Sequence, residues 1–137
     1  MHGHDQERGA LRIDLEILLS TARMRTVGQP AERIAATDSL NLYWTPAQLV
    51  AHHTSNGCIL SAGDIFGTGT ISGPAGSGPG CLLEQTLDGG RPLVLGNGER
   101  RGYLEDGDQV TLRAHCARQG FVSIGFGENR GEILPAR

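Results

Sequence analysis

Alternating apolar and polar residues mark the beginning of the folded chain. Four apolar residues are separated by charged ones near the N-terminus: Leu11, Ile13, Leu15 and Ile17. A period of two is typical of a β-strand with one buried face. Residues 23–38 are polar and include Gly28 and Pro30, which predicts a loop or an exposed hairpin. Residues 1–9 are polar and are expected to fray.

One segment carries the signals of a helix. Thr45 followed by Pro46 is a typical helix start, because a hydroxyl residue caps the first turn and proline fits the first helical position. The apolar residues Leu49 and Val50 continue the pattern, and Asn56-Gly57 is a common left-handed helix end. The sequence therefore predicts one short helix near residues 46–56.

The rest of the chain has the pattern of β-structure. Short apolar segments alternate with turn sequences and are predicted strands: residues 65–71, 82–87, 93–95, 101–104, 110–114 and 121–126. Three turn motifs lie between them and are typical of hairpins: Asp88-Gly89-Gly90, Gly96-Asn97-Gly98 and Asp106-Gly107. The fold class is mostly β, and the exposed strand edges predict that the chain pairs with other polypeptide.

Composition limits the classes of function. A length of 137 residues fits one domain. The net charge of −3 and the absence of a basic patch argue against a nucleic-acid partner. No apolar run reaches the length that a membrane span requires. The three cysteines, Cys58, Cys81 and Cys116, are few and widely spaced, which favours free thiols in a reducing cytoplasm.

Two residues with candidate chemistry flank a glycine-rich loop. Thr70 follows Gly69, and Glu84 lies in the predicted strand 82–87. Threonine is common in strands because of its β propensity, yet neighbouring glycines also leave room for a ligand at the backbone. Glu84 either faces solvent or is buried against small residues, where a carboxylate needs a partner. From these residues alone, both alternatives stay open for each position.

Other motifs do not support a metal or phosphate site. Adjacent helical residues such as His52 and His53 point about 100° apart and do not readily share one ion, and their spacing with Cys58 matches no zinc pattern. Asp106-Gly107-Asp108 precedes a predicted strand and is a turn rather than a calcium loop. Gly125-Phe126-Gly127 lacks the strand-to-helix context of a dinucleotide loop.

The order of the motifs resembles one enzyme family. From residue 43 onward the chain closely resembles the C-terminal part of the catalytic domain of the fumarylacetoacetate hydrolase (fumarylacetoacetase) family, through the following motifs: Tyr43-Trp44-Thr45, His52-His53, Asn56-Gly57-Cys58, Gly69-Thr70-Ile71-Ser72-Gly73-Pro74, Leu82-Leu83-Glu84, Asp106-Gly107-Asp108 and Ile124-Gly125-Phe126-Gly127. The likeness covers residues 9–137, so residues 10–137 are expected to be an incomplete catalytic domain. Several motifs in one order are more specific than any single glycine motif.

The resemblance implies a fold, a reaction and two site residues. The fold would be part of a mixed β-roll or β-sandwich in a homodimer. The reaction would be the metal-dependent hydrolysis of the carbon–carbon bond of 4-fumarylacetoacetate to fumarate and acetoacetate, late in tyrosine and phenylalanine catabolism. Glu84 would be catalytic, orienting the general-base histidine, and Thr70 would bind the substrate. Ser72 is a weaker candidate, expected to shape the turn.

The resemblance also implies that part of the site lies outside this chain. In the family, the carboxylates that bind Mg²⁺ or Ca²⁺, the general-base histidine and the oxyanion-pocket lysine and arginine precede the matched region. All twelve basic residues here are arginines, so the lysine has no counterpart. The chain is therefore expected to be inactive alone and to need the missing N-terminal part or a second copy. Alternatives are a noncatalytic module that pairs with another chain, and a fragment of a related acylpyruvate hydrolase.

Overall fold

A computed structural model of the chain describes residues 9–74 and 78–137. Residues 1–8, which hold most of the predicted frayed terminus, lie outside the described part. The described residues form six strands, three α-helices and one 3₁₀ helix (Ser39–Asn41): β1 Asp14–Ser20, α1 Ala22–Thr26, β2 Glu32–Asp38, α2 Pro46–Thr54, α3 Leu82–Gln85, β3 Leu93–Val94, β4 Arg100–Arg101, β5 Gln109–Cys116 and β6 Ile124–Glu132. The prediction of a mostly β fold is confirmed.

The strands form two antiparallel sheets. The larger has the order β2-β1-β5-β6, so that β1 and β5 are central and β6 is an edge strand. Leu15 on β1 is opposite Thr37 on β2 and Ala114 on β5. In the smaller sheet β3 and β4 form a hairpin, closed by a turn in which Gly98 has a φ of +84°. This hairpin confirms the turn predicted at residues 96–98, where glycine supplies the left-handed conformation.

Helix α2 confirms the prediction for residues 46–56. The Thr45 hydroxyl accepts a hydrogen bond from the Gln48 amide at 3.3 Å, and the Gln48 side chain accepts one from the Thr45 amide at 2.8 Å. This reciprocal capping box satisfies backbone donors that the first helical turn leaves unpaired. Gly57, with a φ of +86°, follows the helix as expected. Local sequence is therefore enough to specify this element.

Two of the predictions for segments before residue 72 are wrong. Residues 23–38, predicted as a loop or hairpin, contain most of α1 and all of β2. Thr21 caps α1 by accepting the Met24 amide at 3.1 Å, and β2 pairs along its length with β1. Pairing with a neighbour overrides the weak β propensity of the alanines in β2. Residues 65–71, predicted as a strand, belong to none of the described strands.

The predicted strand at residues 82–87 is also wrong. Residues Leu82–Gln85 form the single turn of α3, and Leu87 and Asp88 then adopt left-handed φ values of 50° and 56°. The turn at residues 88–90 therefore connects a helix to β3 and is not a hairpin. Residues 106–107 join strands of different sheets. The remaining predicted strands correspond to β1, β3, β4, β5 and β6, with shifted ends.

The buried core lies at one end of the larger sheet. Leu19, Met24 and Leu95 are almost fully buried, and they come from β1, α1 and the segment after β3. Partly buried apolar residues pack around them: Ile34, Leu93 and Val110. The core thus joins the larger sheet, α1 and the β3–β4 hairpin. The far end of the sheet has no comparable buried cluster among the described residues.

A buried ion pair ties the hairpin to β5. Arg101 Nε and Nη2 donate to the two carboxylate oxygens of Asp108 at 2.7 and 3.0 Å. The hydrogen bond to Asp108 is the main reason that the pKa of Arg101 lies above its usual value. Asp108 also accepts the Glu105 amide at 2.9 Å. The second aspartate of the 106–108 motif is thus a structural partner of arginine.

Candidate functional site

A cavity lies between the larger sheet and the glycine-rich segment that follows α2. It has a volume of ≈ 380 Å³, and most of its lining residues are apolar or glycine. Strands β1, β2 and β5 form one side, and residues 68–71 with Gly80 form the other. The lining charges are those of Glu16 and Arg113. An apolar cavity with a few polar groups is the usual form of a small-molecule site.

Thr70 lies at this cavity. It is exposed, and within residues 9–74 and 78–137 its hydroxyl has no hydrogen-bond partner. Gly69 beside it has a φ of +74°, a conformation that glycine adopts without strain. The Thr70 hydroxyl is therefore free to bind a ligand or water. Position 70 fits the predicted substrate-binding role, which remains a prediction.

Gly80 allows the chain to approach Thr70 closely. A Cβ atom at position 80 would lie 2.2 Å from the Ile71 carbonyl oxygen and 2.9 Å from Thr70 Cγ2. Both distances are below any tolerable contact, and the first is to backbone, which does not move aside easily. Glycine is therefore required where the two ends of the 73–80 loop meet. The Gly73 amide closes this loop further by donating to the Gly78 carbonyl at 3.2 Å.

Glu84 lies on the other side of Gly80. Its Oε2 atom accepts a hydrogen bond from the Gly80 amide at 3.1 Å and another from the Ser72 hydroxyl. The side chain is exposed rather than buried in a strand. Of the two alternatives that the sequence left open for Glu84, the structure shows the solvent-facing one. The carboxylate is nevertheless held in place by the loop that carries Thr70.

Hydrogen bonds at the end of α3 orient Glu84. The Gln85 side-chain amide donates to the Ile34 carbonyl on β2 at 2.5 Å. The buried Thr86 hydroxyl donates to the Gly102 carbonyl after β4 at 2.9 Å and accepts the Gly89 amide at 3.1 Å. These contacts attach α3 to both sheets. Glu84 is therefore presented outward from an anchored turn rather than from a free loop.

Ser72 is more closely involved than the sequence indicated. Its hydroxyl donates to Glu84 and accepts the Gly80 amide at 3.1 Å, so it is a member of the same cluster. These contacts are compatible with the prediction that Ser72 shapes the turn, but that prediction did not include the hydrogen bond to Glu84. In the sequence, the feature that connected Ser72 with the candidate site was its position two residues after Thr70. Nothing in the local pattern related it to a residue twelve positions further on.

A second cavity continues from the first. It has a volume of ≈ 430 Å³ and includes Tyr43, Trp44 and the beginning of α2. Leu15, Thr68 and Ile71 line both cavities. The rings of Tyr43 and Trp44 meet edge to face with centroids 4.9 Å apart. Residues 43–45, which the sequence placed in the resemblance, therefore line a cavity that shares three lining residues with the Thr70 cavity.

The described residues of this chain do not form a metal site. Within the described residues, no three His, Cys, Asp or Glu side chains come together as ligands. His53 packs edge to face on Phe66, with ring centroids 5.3 Å apart. Cys58, Cys81 and Cys116 are free thiols. The divalent metal that the resemblance implies therefore does not fit the donors in the described part of this chain.

No helix in the described part of the chain is long and apolar enough to cross a membrane.

Comparison with known proteins defines the class to which this fold and cluster belong. The family model described as fumarylacetoacetate (FAA) hydrolase C-terminal matches residues 8–133. The chain therefore belongs to the fumarylacetoacetate hydrolase family, and the resemblance in the motifs is confirmed. Relatives named fumarylacetoacetase are similar to this chain over most of its length.

The relatives differ from this chain most in length. The Arabidopsis thaliana fumarylacetoacetase is 52% identical over 103 residues, which are 75% of this chain and 24% of the relative. The Caenorhabditis elegans fumarylacetoacetase is 43% identical over 125 residues, 90% of this chain and 29% of the relative. The human protein of that name is 42% identical over 106 residues, which are 77% of this chain and 25% of the relative. The chain thus spans about a quarter of the relatives it matches.

Proposed function

We propose that this chain is the C-terminal portion of the catalytic domain of a fumarylacetoacetase. The reaction is the hydrolysis of 4-fumarylacetoacetate to fumarate and acetoacetate. Supporting observations are the names of the relatives and the cluster beside the Thr70 cavity. The observation that carries the proposal is the placement of Glu84, whose carboxylate is bound through Oε2 while Oε1 has no hydrogen-bond partner among residues 9–74 and 78–137.

In this proposal, Glu84 orients a general base. The free Oε1 accepts a ring N–H from the histidine that the resemblance places upstream of this chain. Such a contact fixes the histidine tautomer and stabilises the imidazolium that forms when the base takes a proton from water. The resulting hydroxide adds to the carbonyl carbon. The carbon–carbon bond then breaks, its electron pair leaves with the acetoacetate fragment, and that fragment takes up a proton.

Thr70 positions the substrate in the cavity. Its hydroxyl donates to the carboxylate end of the substrate, and the apolar walls exclude water from the carbon chain. Correct placement of the reacting carbonyl is itself a large part of catalysis. A metal, magnesium or calcium, would be bound by carboxylates outside this chain and would hold the dicarbonyl group. No step is assigned to a metal here, because the described residues do not supply its ligands.

The remainder of the catalytic domain is the proposed partner. All nine residues of the edge strand β6 are exposed. Large apolar side chains near it are 61–92% exposed: Phe121, Val122, Ile124 and Phe126. An apolar sheet edge of this kind promotes aggregation unless other polypeptide covers it. The missing N-terminal part therefore packs here, and the complete enzyme forms a homodimer in the cytoplasm, which its free thiols suit.

The proposal is tested by restoring the missing part. The isolated chain is expected to show little or no loss of fumarylacetoacetate absorbance in the presence of magnesium. A fusion of this chain to the upstream part of the Arabidopsis fumarylacetoacetase is expected to hydrolyse the substrate. A folded fusion that is inactive on fumarylacetoacetate contradicts the proposal. Activity of that fusion only on simpler acylpyruvates would instead identify a related hydrolase.

The role of Thr70 makes a separate prediction. In the fusion, Thr70→Val should raise KM about 10- to 100-fold with a smaller change in kcat, since a hydrogen bond to a charged group contributes about 1.5–3 kcal/mol. Thr70→Ser keeps the hydroxyl and should remain within a few-fold of the parent KM. Steady-state kinetics of the two variants provides the measurement. Equal KM values for valine and threonine would remove Thr70 from the substrate site.

A further inference from the structure

We propose that Ser72 is a positioning residue that holds the Glu84 carboxylate by one oxygen and leaves the other for the general base. This inference rests on the function proposed above and adds a residue to its site. Ser72 lies in the glycine-rich segment beside Thr70, whereas Glu84 lies on α3, twelve residues later. The Ser72 hydroxyl therefore links the glycine-rich segment to α3 through a side-chain hydrogen bond.

The Ser72 hydroxyl both donates and accepts a hydrogen bond within the cluster. A serine hydroxyl has one proton to donate and lone pairs to accept. Ser72 gives its proton to Glu84 Oε2 and accepts the Gly80 amide at 3.1 Å. The Gly80 amide is shared, because it also donates to Glu84 Oε2 at 3.1 Å. The Ser72 hydroxyl, the Gly80 amide and Glu84 Oε2 thus contact one another in a closed ring.

The ring selects which carboxylate oxygen remains available. Within residues 9–74 and 78–137, both hydrogen bonds of the Glu84 side chain fall on Oε2 and none falls on Oε1. An exposed glutamate on a single helical turn otherwise rotates freely among its rotamers. The Ser72 contact restricts that freedom through Oε2 and leaves Oε1 without a hydrogen bond among the described residues. A preorganised oxygen of this kind loses less entropy when a histidine N–H binds to it.

A turn-forming role alone would not need the hydroxyl. The backbone closure of the loop comes from the Gly73 amide bound to the Gly78 carbonyl, and from the close packing of Gly80 on Ile71. Neither contact uses the Ser72 side chain. Removing the hydroxyl should therefore leave the loop closed through these contacts. The Gly80 amide would lose one of its two acceptors but keep Glu84 Oε2, so the main consequence should be the loss of one of the two contacts that hold Glu84.

The experiment uses the fusion to the Arabidopsis upstream part and five variants. Ser72→Ala is expected to lower kcat about 10- to 100-fold, the size of effect that misplacement of a catalytic group produces, with KM within about twofold. Ser72→Thr keeps a hydroxyl and should recover most of the rate. Ser55→Ala is the matched control, because that hydroxyl also donates a hydrogen bond, to the His52 carbonyl at 2.7 Å, away from the cluster. It should leave kcat and KM unchanged.

A double variant distinguishes a positioning role of Ser72 from general damage to the fold. If Ser72 acts through Glu84, Ser72→Ala should cause little further loss in a Glu84→Gln background, so the two effects should not add. Equal circular dichroism spectra of the variants confirm that the fold is retained. Full additivity, a rise in KM as the main effect, or no rescue by threonine would each overturn the inference.

The outcomes also distinguish this inference from the proposed function. An inactive parent fusion, or one that Glu84→Gln does not affect, overturns the proposed function and this inference with it. An active parent that loses its rate in Glu84→Gln but keeps it in Ser72→Ala overturns only the positioning role.

Discussion

Glu84→Gln is expected to lower kcat about 10²- to 10⁴-fold in the fusion, the range that general acid–base catalysis contributes. Glutamine has nearly the same shape, and its carbonyl still accepts hydrogen bonds. It has no negative charge to stabilise an imidazolium, and so it leaves the general base without its orienting carboxylate. KM should change little, because Glu84 does not contact the substrate in this account. Steady-state hydrolysis of fumarylacetoacetate, followed by absorbance, measures both constants.

A surface glutamate provides the control for this substitution. Glu105 is 62% exposed and forms an ion pair with Arg101 at 3.3 Å, outside the cavity. Exposed pairs contribute only about 0–1 kcal/mol, so Glu105→Gln should leave kcat unchanged. A Glu84→Gln fusion that kept its full rate would contradict the role of Glu84. The cluster with Ser72 and Gly80 would then be a structural device.

Arg101→Met is expected to destabilise the isolated chain by about 3–5 kcal/mol, because it leaves a buried aspartate without its cation. The Asp108 side chain is 1% exposed and that of Arg101 is 8% exposed. The pair joins β4 to the residue before β5, so its loss weakens the attachment of the hairpin to the larger sheet. Urea unfolding followed by circular dichroism should show a lower midpoint, or an unfolded protein if the chain is marginally stable.

Two companion variants isolate the effect of burial. Arg113 pairs with Glu128 across β5 and β6, but these side chains are 44% and 39% exposed. Arg113→Met should therefore cost about 1 kcal/mol or less. Replacing both buried partners, as Arg101→Met with Asp108→Leu, should recover much of the stability because no fully buried charge is left unpaired. Glu99 and Glu105, which also pair with Arg101, keep contact with solvent. Equal losses from Arg101→Met and Arg113→Met would show that the buried pair does not hold the sheets together.

Two of the elements that the sequence predicted correctly are specified by nearby residues. Helix α2 has its hydroxyl cap, its proline and its capping glutamine within four positions, and it ends before a left-handed glycine. The β3–β4 hairpin is similarly specified by Gly96-Asn97-Gly98. In both cases the physical cause is local: a side chain satisfies nearby backbone donors, or glycine permits a positive φ. No distant contact is needed.

The failures come from elements that depend on distant partners. Residues 82–87 form a short apolar run, and periodicity alone does not distinguish a strand from a helical turn in such a run. The helical turn is held by the bonds of Gln85 to β2 and Thr86 to the segment after β4. Strand β2 likewise depends on β1. These contacts connect residues that are 16 to 51 positions apart in the chain.

The candidate site was predicted in part. Thr70 and Glu84 were both selected through the resemblance, and the structure places them on either side of Gly80. The link through Ser72 was not predicted, because a hydroxyl in a glycine-rich turn has no pattern that identifies its partner. The alternation of faces, which left burial of Glu84 open, applies only to strands, whereas residue 84 is helical and exposed.

The most direct test of the account mixes this chain with the separately produced upstream part of the Arabidopsis fumarylacetoacetase. Neither protein alone should hydrolyse fumarylacetoacetate, and activity should rise as this chain is added until the two are present in equal amounts. The Glu84→Gln chain should bind the upstream part equally well and restore almost no activity. Hydrolysis by this chain alone at the full rate, or equal restoration by the Glu84→Gln chain, would contradict the claim that it supplies one half of a shared active site.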